Sequence, residues 1–164
     1  MKTALGPAVA AAALCGFGWV AAEAEGGLML PRIENAAMLK ECGACHMVYS
    51  PQLLPARSWQ DMMAGLDSHF GESAKLDEAV RLEILGYLKD NAADSLAHKD
   101  YAFLSRGVGP AEVPQRITQM PWFRNAHGEA NLGALAGTRV KLASNCIGCH
   151  VGADSSMLYS EPGD

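Results

Sequence analysis

Two copies of the pattern C-x-x-C-H constrain this chain more than any other feature. The first reads Cys42-Gly43-Ala44-Cys45-His46 and the second reads Cys146-Ile147-Gly148-Cys149-His150. With 5 histidines among 164 residues, a histidine after both pairs has a chance probability of about one in a thousand. C-x-x-C-H is the attachment signature of c-type haem. The sequence therefore predicts two covalently bound haem c groups, attached through Cys42, Cys45, Cys146 and Cys149.

The spacing within each motif has a chemical reason. Two cysteines separated by two residues on a helical turn can form thioethers with the two vinyl groups of one porphyrin. The first cysteine and the histidine then lie four residues apart on the same helix face, which places the imidazole at the iron. We therefore predict His46 and His150 as the proximal ligands of the two irons.

Other uses of paired cysteines fit this spacing less well. Two C-x-x-C pairs can form a tetrahedral zinc site, but zinc ribbons place about 15–20 residues between the pairs, whereas 100 separate them here. Disulfide bonds in an exported protein are a second alternative. A thioredoxin-like redox pair is a third, but it would need a βαβ context that the sequence does not show.

The first 24 residues differ in character from the rest. A short positive start is followed by an apolar, alanine-rich stretch over residues 4–20, and Ala22-Glu23-Ala24 fits an A-x-A cleavage site. We predict that residues 1–24 are a signal peptide and that the protein is exported. An uncleaved membrane anchor is the alternative, although Pro7 and the glycines make this stretch a weak membrane span.

The charge balance argues against nucleic acid as a partner. Lys and Arg number 13 against 18 Asp and Glu, a net charge of -5, which is the wrong sign for binding a phosphate backbone. Hydrophobic residues make up 49% of the chain, enough for a folded core. Aromatic residues are few, so a cofactor has room to supply apolar bulk.

Apolar residues at helical spacing predict an all-α fold, with no strand pattern of comparable strength. The predicted helices cover residues 34–42, a segment capped by Ser58 and stopped at Gly71, a segment that starts at Asp77 and ends near residues 91–94, and a short helix from Pro121 to Gly128. Glycines and prolines in residues 95–114 indicate a connection between two haem-binding halves. The sequence therefore divides into a predicted signal peptide over residues 1–24, an N-terminal haem c half over residues 25–95, and a linker with a C-terminal haem c half over residues 96–164. The C-terminal half is predicted to be the shorter one and to consist of helix and loop.

Three further histidines could fill the sixth position of two irons. His69 and His127 lie on apolar faces of their predicted helices, where an unpartnered ring nitrogen is costly and an iron would satisfy it. A core histidine bonded to a backbone carbonyl is the alternative at both positions. His98 has polar neighbours and is predicted to be solvated. We therefore predict His69 and His127 as the distal ligands.

Methionines and arginines supply further candidate contacts to a haem. Met62, Met63 and Met120 could act as sixth ligands, although core packing is the favoured interpretation for each. Guanidinium groups match carboxylates bidentately, so haem propionates could pair with Arg57, Arg106, Arg116 or Arg124. The sequence does not choose among these arginines.

Five segments between the two motifs carry a more specific pattern. They are Leu54-Pro55-Ala56-Arg57-Ser58-Trp59, His69-Phe70-Gly71, Tyr87-Leu88, Arg116-Ile117-Thr118, and Pro121-Trp122-Phe123 leading to His127. Together with a C-x-x-C-H motif near each end, these segments resemble the bacterial diheme cytochrome c family (DHC). The resemblance covers nearly all of the chain after residue 24.

The resemblance implies a periplasmic electron carrier whose two haems each have two histidine ligands. His46 and His150 match the proximal positions of the family, and His69 and His127 match positions taken to be distal. An N-terminal half of cytochrome c type is implied as well. The implied partners are redox proteins, namely a small high-spin cytochrome c and, upstream, a membrane b-type cytochrome.

Coordination chemistry leads to the same function. An iron with both axial sites filled by the protein cannot readily bind oxygen or peroxide, so it exchanges electrons by outer-sphere transfer. We therefore expect an electron carrier without a small-molecule substrate, not an enzyme. Both haems should have lower potentials than a His/Met carrier, because bis-histidine ligation lacks the thioether that raises the potential. The alternatives are a small peroxidase or reductase, or a ligand sensor, with one open haem.

Overall fold

The computed structural model describes residues 27–128 and 142–160. Four α-helices lie within these ranges, namely α1 (Ala36–Cys42), α2 (Ala56–Ala64), α3 (Glu78–Asp90) and α4 (Pro121–His127). Short 3-10 segments lie at Pro51–Leu53, Leu66–Ser68, Leu96–Ser105, Ile117–Gln119 and Cys146–Gly148. This architecture confirms the all-α prediction. The predicted signal peptide lies outside the described residues, and the division at residue 95 stays a prediction.

Helix α1 ends at the first cysteine of the first motif, close to the predicted range. Its N-cap is Asn35, whose side-chain oxygen accepts a hydrogen bond from the Met38 amide at 2.7 Å. That bond satisfies one of the amides that a helix N-terminus leaves free. Met38 is buried against the core, while Leu39 stays exposed. The cap and the buried methionine fix the helix that presents Cys42.

Helix α2 differs from its prediction at both ends. It begins after Pro55, and Ser58 lies buried inside it; the Ser58 hydroxyl has no hydrogen-bond partner among the described residues. Ser58 is therefore not the cap. The helix ends at Ala64, because Gly65 follows and its amide bonds back to the carbonyls of Asp61 and Met62. The helix therefore stops well before residue 71, with Gly65 as its C-terminal cap.

Helix α3 matches its prediction closely. The side chain of Asp77 accepts a hydrogen bond from the Ala79 amide at 2.9 Å, which caps the N-terminus. Ile84 and Leu88 are four residues apart and buried, so they form the apolar stripe of this helix. The stripe belongs to the same buried core as residues of α1 and α2.

The predicted connection over residues 95–114 contains more structure than its glycines and prolines suggested. Leu96–Ser105 is largely 3-10 helix, with a break at His98, and Leu104 is fully buried. Helix α4 then begins with Pro121 and ends at His127, followed by Gly128 at φ +66. Proline at the first position and glycine past the end confirm the predicted α4.

A short antiparallel pair joins the two ends of the described chain. Strand β1 (Leu28–Met29) pairs with β2 (Leu158–Tyr159), with Leu28 opposite Tyr159. The amide of Leu30 also donates to the carbonyl of Met157 at 3.0 Å. The segment after the second motif is thereby fixed beside the segment that leads into α1. Within the described ranges, no helix is long and apolar enough to cross a membrane.

Candidate functional site

The structure brings His46 and His69 face to face. Their ring centroids are 6.2 Å apart and their ring planes differ by 25°. His46 lies just beyond the end of α1, while His69 follows the 3-10 turn Leu66–Ser68 in extended backbone. The prediction that His69 lies on a helix face is therefore wrong, because Gly65 ends α2 before this residue. The loop still directs the ring of His69 to that of His46.

The His69 loop is closed by backbone contacts on both sides of the histidine. The amide of Ala74 donates to the carbonyl of Leu66 at 2.8 Å, and the amide of Glu72 donates to the carbonyl of His69 at 3.1 Å. Leu66 is buried and anchors the start of the loop. Phe70 adopts φ +53, a conformation that a bulky residue rarely takes. The hydrogen bonds of the loop hold the backbone at Phe70 in this conformation, and they thereby fix the position of the His69 imidazole.

A second facing pair is formed by His127 and His150. Their ring centroids are 6.0 Å apart and their planes are nearly perpendicular, at 86°. His127 is the last residue of α4, and its ring stacks on that of Phe123 with the centroids 4.0 Å apart. Phe123 is buried. The stacking on buried Phe123 confirms the prediction that His127 lies on an apolar face of its helix.

Both pairs have the separation that one metal needs. A metal–imidazole bond is about 2 Å long and a ring centre lies about 1 Å behind its nitrogen, so two imidazoles on opposite sides of one metal have centres about 6 Å apart. The observed separations of 6.2 and 6.0 Å match this value. The donor set at each pair therefore fits a haem iron.

Ring hydrogen bonds orient three of these four histidines. The Nδ1 atom of His46 lies 2.6 Å from the Met47 carbonyl oxygen, and that of His127 lies 2.9 Å from the Phe123 carbonyl oxygen. The Nδ1 atom of His150 contacts the Ser160 carbonyl oxygen. A carbonyl partner fixes the proton on Nδ1 and leaves Nε2 as the free nitrogen, which is how metal-binding histidines are usually held.

The surroundings of the fourth histidine favour its neutral form. Burial lowers the pKa of His69, and the neighbouring His46 and Arg116 lower it further. A neutral imidazole is the form that binds a metal.

The four cysteines of the two motifs are free thiols in the structure, standing for the thioether sulfurs of a haem-bearing chain. Around the second motif the amide of His150 donates to the Cys146 carbonyl at 2.8 Å, the i to i+4 relation predicted for the motif. At the first motif helix α1 ends at Cys42, and a turn at Gly43 follows. The predicted helical turn is thus seen at the second motif and is replaced by a non-helical turn at the first.

The thiol of Cys146 is the most strongly perturbed of the four. Burial raises its pKa to about 11, with a smaller contribution from Cys149. Burial, followed by the charge of Glu41, also raises the pKa of Cys42. A buried sulfur of this kind is stable as a neutral group, and a thioether is neutral.

His98 lies apart from both histidine pairs. Its Nε2 atom is 2.8 Å from the Asn91 side-chain oxygen, and its ring is 6.1 Å from that of Tyr101. This residue is half-buried and held by a side-chain partner, so the prediction that it is solvated is wrong. The neighbouring asparagine satisfies the ring nitrogen that a metal would otherwise bind.

Two of the candidate methionines and two of the candidate arginines have other contacts. Met63 and Met120 are buried in the core. Arg57 donates to the carbonyl oxygens of Glu112 at 2.6 Å and Gly109 at 2.9 Å. The guanidinium carbon of Arg116 lies 4.1 Å from the centre of the Phe70 ring, next to His69.

Two tyrosines beside the motifs were not found from the sequence. The ring of Tyr49 lies 5.2 Å from that of His46, and the ring of Tyr159 lies 5.8 Å from that of His150. Tyr49 comes only three residues after its motif, and this short spacing was the available signal. Tyr159 is nine residues beyond His150, and a turn in which the Leu158 amide donates to the Gly152 carbonyl at 3.4 Å brings it back.

A helical fold with two C-x-x-C-H motifs, each beside a facing pair of histidines, is that of a small c-type cytochrome. The chain belongs to the dihaem cytochrome c family (DHC), whose sequence profile matches residues 38–158. Membership confirms the predicted family and the prediction of two covalently bound haem c groups. The protein is therefore an electron-transfer haem protein. No curated protein matches the chain.

Solved structures of diheme cytochromes c resemble the chain along most of its length. One from Rhodobacter sphaeroides is 41% identical, with a TM-score of 0.65, and the match covers 74% of this chain and 94% of that one. DHC purified from Rhodobacter sphaeroides is 40% identical, with a TM-score of 0.58 and coverage of 76% and 96%. The diheme cytochrome from Shewanella baltica is 32% identical, with a TM-score of 0.58 and coverage of 75% and 85%. These likenesses confirm the predicted small-cytochrome fold.

Proposed function

We propose that this protein is a periplasmic electron carrier in which the protein fills both axial positions of each haem iron. His46 and His69 bind the first iron, and His150 and His127 bind the second. The thioether bonds come from Cys42 with Cys45, and from Cys146 with Cys149. The observation that carries the proposal is the separation of the two ring pairs, 6.2 and 6.0 Å.

Haem c supplies a one-electron couple when it is bound. The residues around it determine that electrons, and not ligands, are exchanged. Carbonyl partners on Nδ1 hold His46, His127 and His150 with Nε2 free, and the closed loop holds His69. Because each ring is fixed before and after electron transfer, little reorganisation accompanies the change of charge.

The proposed partners are other redox proteins. We propose a small high-spin cytochrome c as the acceptor and a membrane b-type cytochrome as the donor, with export directed by residues 1–24. A net charge of -5 favours docking against a basic patch, so the rate of electron exchange should fall as the salt concentration rises.

The proposal is tested by visible spectra of the oxidised and reduced protein, together with carbon monoxide binding. Low-spin signals in both redox states, with no methionine-to-iron band and little carbon monoxide binding, are the expected result. Stoichiometric binding of carbon monoxide by the unmodified protein would instead indicate an open haem, as in a peroxidase, reductase or ligand sensor. Fractionation of cells that express residues 1–164 tests the location.

A further inference from the structure

The side chain of Tyr49 spans the two candidate haem sites. Its ring lies 5.2 Å from that of His46, with 36° between the planes. Its hydroxyl donates a hydrogen bond of 2.8 Å to the carbonyl oxygen of Ser144, a residue 95 positions further along the chain. Ser144 precedes Cys146 by two residues. One side chain thus contacts the axial histidine of the first site and the segment that presents the second.

The Ser144 carbonyl oxygen is a shared acceptor at the second motif. The amide of Cys146 also donates to it at 3.0 Å, and the Cys146 sulfur lies 3.6 Å from it. The hydroxyl of Tyr49 therefore bonds to the same atom that sets the start of the second motif. Among residues 27–128 and 142–160, this is the side-chain hydrogen bond that joins the two motif regions.

Tyr159 lies beside the second site, with its ring 5.8 Å from that of His150. Contacts therefore run from His46 through Tyr49 to the segment that presents Cys146.

We propose that Tyr49 is a positioning residue that fixes the second haem-binding segment against the first and thereby sets the redox interaction between the two haems. The inference rests on the proposed function, since it requires a haem at each histidine pair. Reduction of one iron adds a negative charge, which makes the reduction of its neighbour less favourable by an amount that falls with distance. A side chain that fixes the distance between the sites fixes this interaction.

The test is a comparison of Tyr49→Phe with Tyr87→Phe in the haem-bearing protein. Tyr49→Phe keeps the ring against His46 and removes the bond to Ser144. Tyr87→Phe is a matched control, because the Tyr87 hydroxyl accepts a backbone hydrogen bond of 3.0 Å from Glu34, whose position in the chain precedes both motifs. Each variant loses one hydroxyl that joins distant parts of the chain.

In a spectroelectrochemical titration, Tyr49→Phe should narrow the separation between the two reduction steps, and Tyr87→Phe should leave it unchanged. Amide exchange of residues 142–150 should also accelerate about fivefold in Tyr49→Phe, which corresponds to the loss of one hydrogen bond. In Tyr87→Phe the acceleration should appear near Glu34 instead. The amide exchange measurement shows whether Tyr49 holds the second haem-binding segment in place. The titration shows whether Tyr49 affects the redox interaction between the two haems.

The outcomes separate this inference from the proposed function. The Tyr49→Phe protein could keep two low-spin haems and show the same separation of reduction steps and the same amide exchange rates as the unmodified protein. This outcome would overturn the role of Tyr49 and leave the proposed function intact. High-spin iron in the unmodified protein would instead contradict the proposed ligation of each iron by two histidines, which is the function on which this inference rests.

Discussion

The rings of His127 and His150 are nearly perpendicular, with 86° between their planes, whereas those of His46 and His69 are inclined by only 25°. The angle between two axial imidazole planes governs the anisotropy of a low-spin ferric haem. We therefore expect two different electron paramagnetic resonance signals from the oxidised protein, with the more anisotropic one arising from the second haem.

The His127→Ala variant assigns these signals. It should remove the more anisotropic one and leave the other, and His69→Ala should do the reverse. Two identical signals in the unmodified protein would contradict the ring geometry at one of the sites.

Replacing either distal histidine should open one iron. His69→Ala or His127→Ala removes one axial imidazole but leaves the thioethers intact, so both haems stay attached. Each variant should bind about one equivalent of carbon monoxide per protein after reduction, since one iron is vacated. The unmodified protein should bind little. Carbon monoxide titration followed in the visible spectrum measures this stoichiometry.

His98→Ala is the matched control for both variants. His98 is bonded to Asn91 and lies away from both histidine pairs, so its removal should not change the spectrum. A new ligand-binding haem in this variant would contradict the assignment of His69 or His127.

The two distal histidines show how far sequence reasoning reaches. His127 was predicted on an apolar face of a short helix, and the structure places it there because Pro121 and Gly128 define both ends of α4. His69 was predicted as a distal ligand for the wrong local reason, since it was placed on a helix face. The apolar spacing continues past Ala64, but Gly65 ends α2, and the turn that follows is fixed by tertiary contacts that periodicity does not report.

The second motif region shows the same limit. The C-x-x-C-H motif alone predicted the haem attachment, because that chemistry is local. The contact of Tyr49 with Ser144 joins residues 95 positions apart, and that of Tyr159 with His150 depends on the irregular turn that follows the second motif. Such contacts leave no periodic trace in the sequence, so the sequence did not identify these tyrosines as parts of the site.

The core should be sensitive at Leu54, which is 0% exposed. Its carbonyl oxygen also accepts a hydrogen bond from the Ala93 amide at 3.1 Å, so the surrounding backbone cannot easily close on a cavity. Leu54→Ala should lower the free energy of unfolding by about 2–5 kcal/mol. Leu96→Ala is the control, since Leu96 is 85% exposed and should change it by less than about 0.5 kcal/mol. Guanidinium chloride denaturation of the haem-bearing variants compares the two.

Arg116 should stabilise the loop that carries His69. Its guanidinium carbon lies 4.1 Å from the centre of the Phe70 ring, and such a contact at an exposed site contributes about 0.5–1 kcal/mol. Arg116→Ala should therefore let His69 leave the first iron more often, which a faster reaction of the reduced protein with carbon monoxide would reveal. The exposed Arg106 offers a control, Arg106→Ala. Equal rates in the two variants would show that the contact with Phe70 does not hold the loop.

Each pair of cysteines should account for one haem. Replacing Cys42 and Cys45 by Ala, or Cys146 and Cys149 by Ala, should lower the mass of the protein by one haem and leave the other attached, because the two motifs are separate in the chain. Intact-mass spectrometry after denaturation measures this directly, since thioether bonds survive unfolding.

Replacing all four cysteines should give a chain that is largely unfolded by circular dichroism, because the few aromatic residues leave much of the apolar core to the porphyrins. A folded four-alanine variant would show that the helices pack without haem, and a zinc adduct in the unmodified protein would contradict the attachment of haem by these cysteines.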